Sequence, residues 1–94
     1  MDVPDVKYAR SGNVAIAYQV VGNGPRDLVY SPHLADIYTI WQIRRIRPFL
    51  DRLGGEVRLI VFNPRGIGLS DRPPHITLES RMDDFTRLYA VLDA

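Results

Sequence analysis

The apolar run at residues 59–62 is the clearest structural signal in the sequence. It is rich in branched side chains and does not alternate with polar residues, which favours a strand buried on both faces of a sheet. Asn63 and Pro64 follow at once, and proline ends a strand because it has no backbone N–H to donate. Residues 57–62 are therefore predicted to form an interior strand that leads into a loop.

Alternating patterns before this run predict three further strands. Residues 6–10 and 14–21 are separated by Ser11, Gly12 and Asn13, a combination typical of a tight turn, and so predict an antiparallel hairpin. In the second of these strands Ile16 and Tyr18 share one face, with mostly small residues on the other. A third, short strand is predicted at residues 27–30, where Ser31 and Pro32 end it.

Helical spacing appears in two regions. Between residues 35 and 53 the apolar side chains recur at three and four residues, which predicts one helix over 35–46 and a second over 48–53, with Gly54-Gly55 as its C-cap. Residues 78–94 predict a longer amphipathic helix that Thr77 would cap, with Ser80 at the position where a capping box has Glu or Gln.

The order of these elements is three strands, a helical region, a strand and a helix. A crossover between parallel strands is right-handed in nearly all cases, and an antiparallel hairpin leading into such a unit gives a mixed sheet with helices on its faces. The predicted fold class is therefore α/β, with a mostly parallel mixed sheet and a leading antiparallel hairpin.

Composition narrows the functional classes. The chain has 94 residues, is 46% hydrophobic and 24% charged, and carries a formal net charge of +1. Such a balance is ordinary for a globular domain or part of one, and it offers no electrostatic reason to expect nucleic acid or an anionic membrane as a partner. The chain has no cysteine, which excludes disulfides and thiolate metal sites, and no metal is expected. An acidic N-terminus and the lack of a long apolar run predict a cytoplasmic protein.

The sequence Phe-Asn-Pro-Arg-Gly-Ile-Gly-Leu-Ser-Asp at 62–71 resembles the D-x-R-G-x-G-x-S loop of the α/β-hydrolase superfamily. The likeness extends over the whole chain, because the hairpin, the third strand with its proline-containing loop and Trp41 follow in that family's order. It is similar above all to bacterial members, some of which are fused to nucleotide cyclase domains. The resemblance implies that residues 1–94 are a partial hydrolase domain with the first four strands and two helical segments.

The resemblance also implies where the chemistry would lie. Family members use a serine on a G-x-S-x-G elbow after the fifth strand, then an acid and a histidine, and need no cofactor. No such elbow occurs in the 94 residues, so no catalytic residue is assigned and the chain is expected to be inactive alone. The loop after the third strand implies an oxyanion-hole backbone N–H from His33 or Leu34, although the usual glycine is missing there. The motif loop is expected to act structurally, and its residues are Asn63, Arg65, Gly66, Gly68, Ser70 and Asp71.

Two functions follow as expectations. The first is the N-terminal part of an esterase-like or other acyl hydrolase, with the remainder of the hydrolase domain as its partner. The second is a non-catalytic binding or regulatory module that pairs with a second chain, or with a copy of itself, through an exposed sheet edge. The family's strand order places the fourth strand between the second and the third, which leaves residues 27–30 at that edge. A nucleotide-binding domain is a weaker third alternative, because Gly66 and Gly68 lack the third glycine of a phosphate loop.

Overall fold

A computed structural model describes residues 3–32 and 35–93. The elements follow one another as β1 (Lys7–Ser11), β2 (Val14–Val21), β3 (Asp27–Tyr30), a short 3-10 helix (Thr39–Gln42), α1 (Arg47–Glu56), β4 (Arg58–Phe62) and α2 (Leu78–Asp93). The predicted strands are all present, and the bounds of β2 and β3 match the prediction. The predicted last residue of α2, Ala94, lies outside the described residues.

The four strands form one mixed sheet in the order β1-β2-β4-β3. β1 and β2 make the predicted antiparallel hairpin, which turns at Gly12 with a φ of 61°. β2 also runs antiparallel to β4, and β3 runs parallel to β4. The predicted mixed sheet, the leading hairpin and the place of β4 between β2 and β3 are confirmed. The sheet is not mostly parallel, however, because among the described strands only β3 and β4 pair in parallel.

β4 lies at the centre of the core, as its unbroken apolar sequence predicts. All four residues from Leu59 to Phe62 are fully buried, and they alternate between two hydrophobic clusters. Ile60 and Phe62 pack toward α2, where the rings of Phe62 and Phe85 meet edge to face at 4.9 Å. Leu59 and Val61 pack on the opposite face against the segment that contains Trp41. The two faces of one strand therefore hold the two helical layers to the sheet.

The prediction of an α-helix over residues 35–46 is wrong. Only the 3-10 helix Thr39–Gln42 forms there, and Ile43 behind it is extended, with φ −81° and ψ 115°. The Asp36 carboxylate accepts hydrogen bonds from the backbone N–H groups of Tyr38 and Thr39 at 2.9 and 2.7 Å. These bonds have the geometry of an N-cap and start one helical turn, in which the Ile40 N–H donates to the Asp36 carbonyl at 3.0 Å. The turn is not prolonged into an α-helix, and the β-branched isoleucines here have a low helix propensity.

The apolar residues of this segment instead pack on the sheet around the side chain of Trp41. Trp41 is fully buried, and its indole N–H donates to the side-chain oxygen of Gln19 at 2.9 Å. The amide nitrogen of Gln19, which is also fully buried, donates to the Pro4 carbonyl at 3.1 Å. The guanidinium of Arg47 lies 5.2 Å from the centre of the Trp41 ring, a cation–π distance. Side-chain contacts, not helical hydrogen bonds, fix this segment on the sheet.

The C-cap predicted at Gly54-Gly55 is also wrong, because α1 continues through both glycines to Glu56. Neither residue has a positive φ. A Cβ on Gly54 would lie 2.8 Å from Cγ1 of Val21, so glycine there permits close packing of α1 on β2.

α2 is the amphipathic helix that the sequence predicts, with a narrower buried face. Thr77 and Ser80 bond reciprocally, since each hydroxyl accepts from the other residue's backbone N–H at 3.0 and 2.9 Å. Leu88 is buried and Phe85 packs against the same cluster, whereas Leu78 and Met82 are 79% and 56% exposed. No helix among the described residues is both long enough and apolar enough to cross a membrane.

Candidate functional site

The carboxyl ends of β3 and β4 lie side by side, and two loops leave the sheet there. The strands are parallel neighbours with Tyr30 opposite Val61, so the loop after β3 and the 63–71 loop start at one edge. Open α/β sheets place their ligands at such an edge. His33 and Leu34, the oxyanion-hole candidates from the sequence, belong to the first loop and lie outside the described residues.

Asn63 connects the two loops. Its side chain is fully buried, and its Oδ1 accepts hydrogen bonds from the backbone N–H of Ile37 at 3.1 Å and of Leu69 at 3.2 Å. Ile37 follows the loop after β3, so the return of that loop is held against the exit of β4. The Nδ2 of Asn63 is buried without a hydrogen-bond partner among the described residues. An aspartate, usual at this position in the resembled motif, would bring a second acceptor there in place of this donor.

Ser70 and Asp71 fasten the far end of the motif loop to β2. The Ser70 hydroxyl accepts from the Ala17 N–H at 2.8 Å and donates to the Asn63 carbonyl. The Asp71 carboxylate accepts from the Ala15 N–H at 2.9 Å, and the Asp71 N–H donates to the Ala15 carbonyl at 3.0 Å. The loop therefore prolongs the hydrogen-bonding of β2 beyond the end of β4.

The two motif glycines occupy conformations that a side chain would obstruct. Gly66 and Gly68 have φ values of 83° and 56°, in the left-handed region that favours glycine. A Cβ on Gly68 would collide with the side-chain amide of Asn63, and one on Gly66 with the side chain of Ile76. The turn can therefore close over Asn63 only without a side chain at position 68.

Arg65 makes an ion pair with a buried carboxylate of α2. Its Nη2 and Nε lie 2.6 and 3.0 Å from the two oxygens of Asp84, whose side chain is fully buried. Nη2 also donates to the Ser11 hydroxyl at 3.3 Å. The hydrogen bond to Asp84 raises the pKa of Arg65, because it favours the charged guanidinium. Arg65 thus joins the motif loop to both α2 and β1.

The described residues contain no serine hydrogen-bonded to a histidine. Ser70 is fully engaged with backbone groups, while the Ser31 hydroxyl is buried without a partner. His75 is exposed in the loop before α2. A serine nucleophile needs an adjacent base, and no serine among the described residues has one.

The sequence analysis did not identify Asp84 as a site residue, although the helical pattern of α2 contained the information. Asp84 lies one turn before Leu88 on the buried face of α2, and a carboxylate on an apolar face requires a partner. The role of Gln19 as the acceptor for Trp41 was also missed, because alternation assigns a face of β2 but not a partner across the sheet.

Comparison with solved structures identifies the fold. An enol-lactonase from Burkholderia xenovorans is 23% identical over 93% of this chain, with a TM-score of 0.72. A probable hydrolytic enzyme from Pseudomonas aeruginosa is 19% identical over 98% of the chain, with a TM-score of 0.73, and a bromoperoxidase from Bacillus anthracis is 21% identical over 95%, with a TM-score of 0.70. No protein-family model and no curated protein sequence matches the chain.

These neighbours are enzymes of the α/β-hydrolase fold, so the chain has that fold, as the resemblance at 62–71 implies. More narrowly, it corresponds to the N-terminal portion, because it spans 31–33% of the length of these three structures. Their names include both a lactonase and a bromoperoxidase, and a fold alone does not fix an activity.

Proposed function

We propose that these residues are the N-terminal part of a serine hydrolase acting on an ester, lactone or similar acyl bond, and that its nucleophile is supplied from outside them. The observation that carries the proposal is the hydrogen bond from the Ile37 N–H to Asn63, which holds the loop after β3 at the carboxyl edge of the sheet. An oxyanion hole needs backbone donors fixed in advance of the reaction. The enol-lactonase and the hydrolytic enzyme among the structural neighbours agree with acyl hydrolysis.

In this proposal each part of the site has a separate task. A backbone N–H of His33 or Leu34 donates to the oxyanion, and Asn63 is a positioning residue that anchors the return of their loop. Arg65 and Ser70 hold the motif loop to α2 and to β2, so they stabilise the edge without contacting substrate. Attack by a serine and proton transfer by a histidine would come from the rest of the domain, without a cofactor.

The direct test is to treat the purified chain with a serine-reactive fluorophosphonate and to measure hydrolysis of p-nitrophenyl acetate. We expect neither labelling nor turnover above buffer. Ser31→Ala and Ser70→Ala serve as matched variants, because one serine lies in each of the two loops at this edge and both hydroxyl oxygens are inaccessible to solvent or hydrogen-bonded inside the protein. Labelling of the wild-type chain that either variant abolishes would show that the chain carries its own nucleophile and would overturn the proposal.

A second function, a non-catalytic module that pairs through its sheet, is favoured by the free edge of β3. Among the described strands only β4 pairs with β3, and Leu28 on β3 is 40% exposed. The opposite edge, β1, carries Lys7 and Arg10, charges of the kind that discourage edge pairing. An unprotected apolar edge invites an added strand, either from the rest of a hydrolase domain or from a second copy of the chain.

Sedimentation velocity of matched edge variants tests this second function. We expect the wild-type chain to self-associate and Leu28→Lys to shift it toward monomer, because a lysine on the edge opposes an added strand. Tyr8→Lys is the control, since Tyr8 is 56% exposed on the β1 edge. A wild-type chain that stays monomeric, or equal effects of the two lysines, would argue against pairing through β3.

A further inference from the structure

A cavity of about 420 Å³ lies between the turn of the β1–β2 hairpin and one face of α2. Its lining residues are Ser11, Gly12, Asp83, Thr86, Arg87 and Ala90. The four helical residues are spaced at i, i+3, i+4 and i+7, which places them along one face of α2. Gly12 leaves the opposite wall open, because a Cβ there would meet no atom within 4 Å.

The charged side chains of the cavity are one acid and one base on neighbouring turns. Asp83 and Arg87 are both exposed, and within residues 3–32 and 35–93 no ion pair joins them to each other. Next to them lies the Arg65–Asp84 pair, since Arg65 donates to the lining residue Ser11, and the charge of Asp83 also acts on Arg65. These two carboxylates and two guanidinium groups carry equal positive and negative charge, which suits a ligand that is itself neutral overall but has two separated charges.

Two hydroxyl groups of the cavity can form hydrogen bonds with the two charged groups of such a ligand. The Ser11 oxygen accepts a hydrogen bond from Arg65, so its own proton is available to a carboxylate. The Thr86 hydroxyl donates to the Met82 carbonyl at 3.2 Å, so its oxygen can still accept from an ammonium group. Ala90 adds a small apolar surface at the end of the row.

We propose that this cavity binds a free zwitterionic α-amino acid. Arg87 and Ser11 take the carboxylate, since a guanidinium offers paired donors to both of its oxygens. Asp83 and Thr86 take the ammonium group, and the side chain of the amino acid lies toward Ala90. The lining residues belong to the β1–β2 turn and to α2 and not to the motif loop at 63–71, so the proposal does not depend on hydrolase function.

The test is calorimetric titration of the whole 94-residue chain with L-leucine, compared with two probes that each keep one charge. These probes are 4-methylpentanoate, which has no ammonium group, and 3-methylbutylamine, which has no carboxylate. We expect a dissociation constant for L-leucine in the range of about 1 mM, as for a small ligand held by few contacts. Each single-charge probe should bind about tenfold more weakly or worse, because it leaves one protein charge unmatched.

Two variants that each remove one charge assign the two ends. Arg87→Gln should weaken binding of L-leucine and of 4-methylpentanoate, whereas Asp83→Asn should weaken binding of L-leucine and of 3-methylbutylamine, each by about tenfold. Glu79→Gln is the control, because Glu79 lies on the same helix but does not line the cavity. Circular dichroism confirms that each variant is folded. No heat of binding at about 20 mM L-leucine, equal affinity for the carboxylate probe, or variants that bind like wild type would each overturn the proposal.

Discussion

The hydroxyl groups of Ser70 and Ser31, at the carboxyl edge of the sheet, should contribute very differently to the free energy of unfolding. Ser70→Ala removes an acceptor for the Ala17 N–H and a donor to the Asn63 carbonyl. We expect a loss of about 2 kcal/mol in the free energy of unfolding, because both buried backbone groups lose their partner. Ser31→Ala is the comparison, since its buried hydroxyl has no partner among the described residues, and its effect should stay within about 0.5 kcal/mol. Equal urea midpoints for the two variants would contradict this assignment.

Glycine is required at positions 68 and 12 for different reasons, a left-handed backbone at both and a lack of space for a side chain at position 68 alone. Both have a positive φ, but an added Cβ collides with Asn63 only at position 68. Gly12→Ala should therefore cost about 1 kcal/mol, the strain of a left-handed backbone alone. Gly68→Ala should cost about 3 kcal/mol, because overpacking is added to that strain. Urea unfolding of the two variants measures the difference, and equal losses would mean that Asn63 moves aside.

At the scale of elements, α2 is fastened to the sheet by an ion pair as well as by apolar packing. Asp84→Asn leaves the Arg65 guanidinium, whose side chain is 12% exposed, without its counter-charge. We expect a destabilisation of about 3 kcal/mol, as for other buried pairs that lose one partner. Amide hydrogen exchange should show the loss most strongly in α2. Asp83→Asn changes the exposed neighbour and should be within about 0.5 kcal/mol of wild type; similar losses in both would refute a specific role for the pair.

Strands were predictable from this sequence and the segment before α1 was not, for a physical reason. Strand signals such as the apolar run of β4 are local, and burial on both faces follows from the run itself. The segment with Trp41 is shaped by the hydrogen bond of its indole to Gln19, which is distant along the chain and which no local pattern contains. Gly54 was misassigned because its role depends on the closeness of Val21, which no local pattern contains.

The site could be predicted in part for the same reason. The glycines of the motif loop and the tendency of Ser70 and Asp71 to bond backbone groups follow from the sequence around them. The pairing of Arg65 with Asp84 requires the position of α2 on the sheet, so it becomes visible only in the folded chain. The same holds for the bond between Asn63 and Ile37.

The whole molecule should lose stability in acid partly through the pairing of β3 with β4. The side chain of Arg58 donates two hydrogen bonds of 2.7 Å to Asp27, which lowers the pKa of that carboxyl below its ordinary value of 3.8. A lowered pKa in the folded state means that the contribution is complete above the unfolded pKa and is lost as the pH falls through the folded one.

Asp27→Asn should therefore flatten the dependence of the unfolding free energy on pH between about pH 5 and pH 2. Thermal or urea unfolding across that range measures the slope, with Glu79→Gln as a control for the change in net charge. The effect should also shrink in high salt, because the pair is at the surface. A slope identical to that of wild type would show that the pair adds nothing to stability.

The two hydrogen bonds that the side chain of Asn63 accepts also have a consequence for the order of events during folding. Its oxygen accepts from Leu69, which is 6 residues away, and from Ile37, which is 26 residues away. Closing the longer span costs about 1.3 kcal/mol more in chain entropy. The contact with Leu69 should therefore form early and leave the oxygen already oriented, while the Ile37 amide arrives late. We therefore expect this side chain to stabilise the tight turn first and to bind the more distant segment at Ile37 only later in folding.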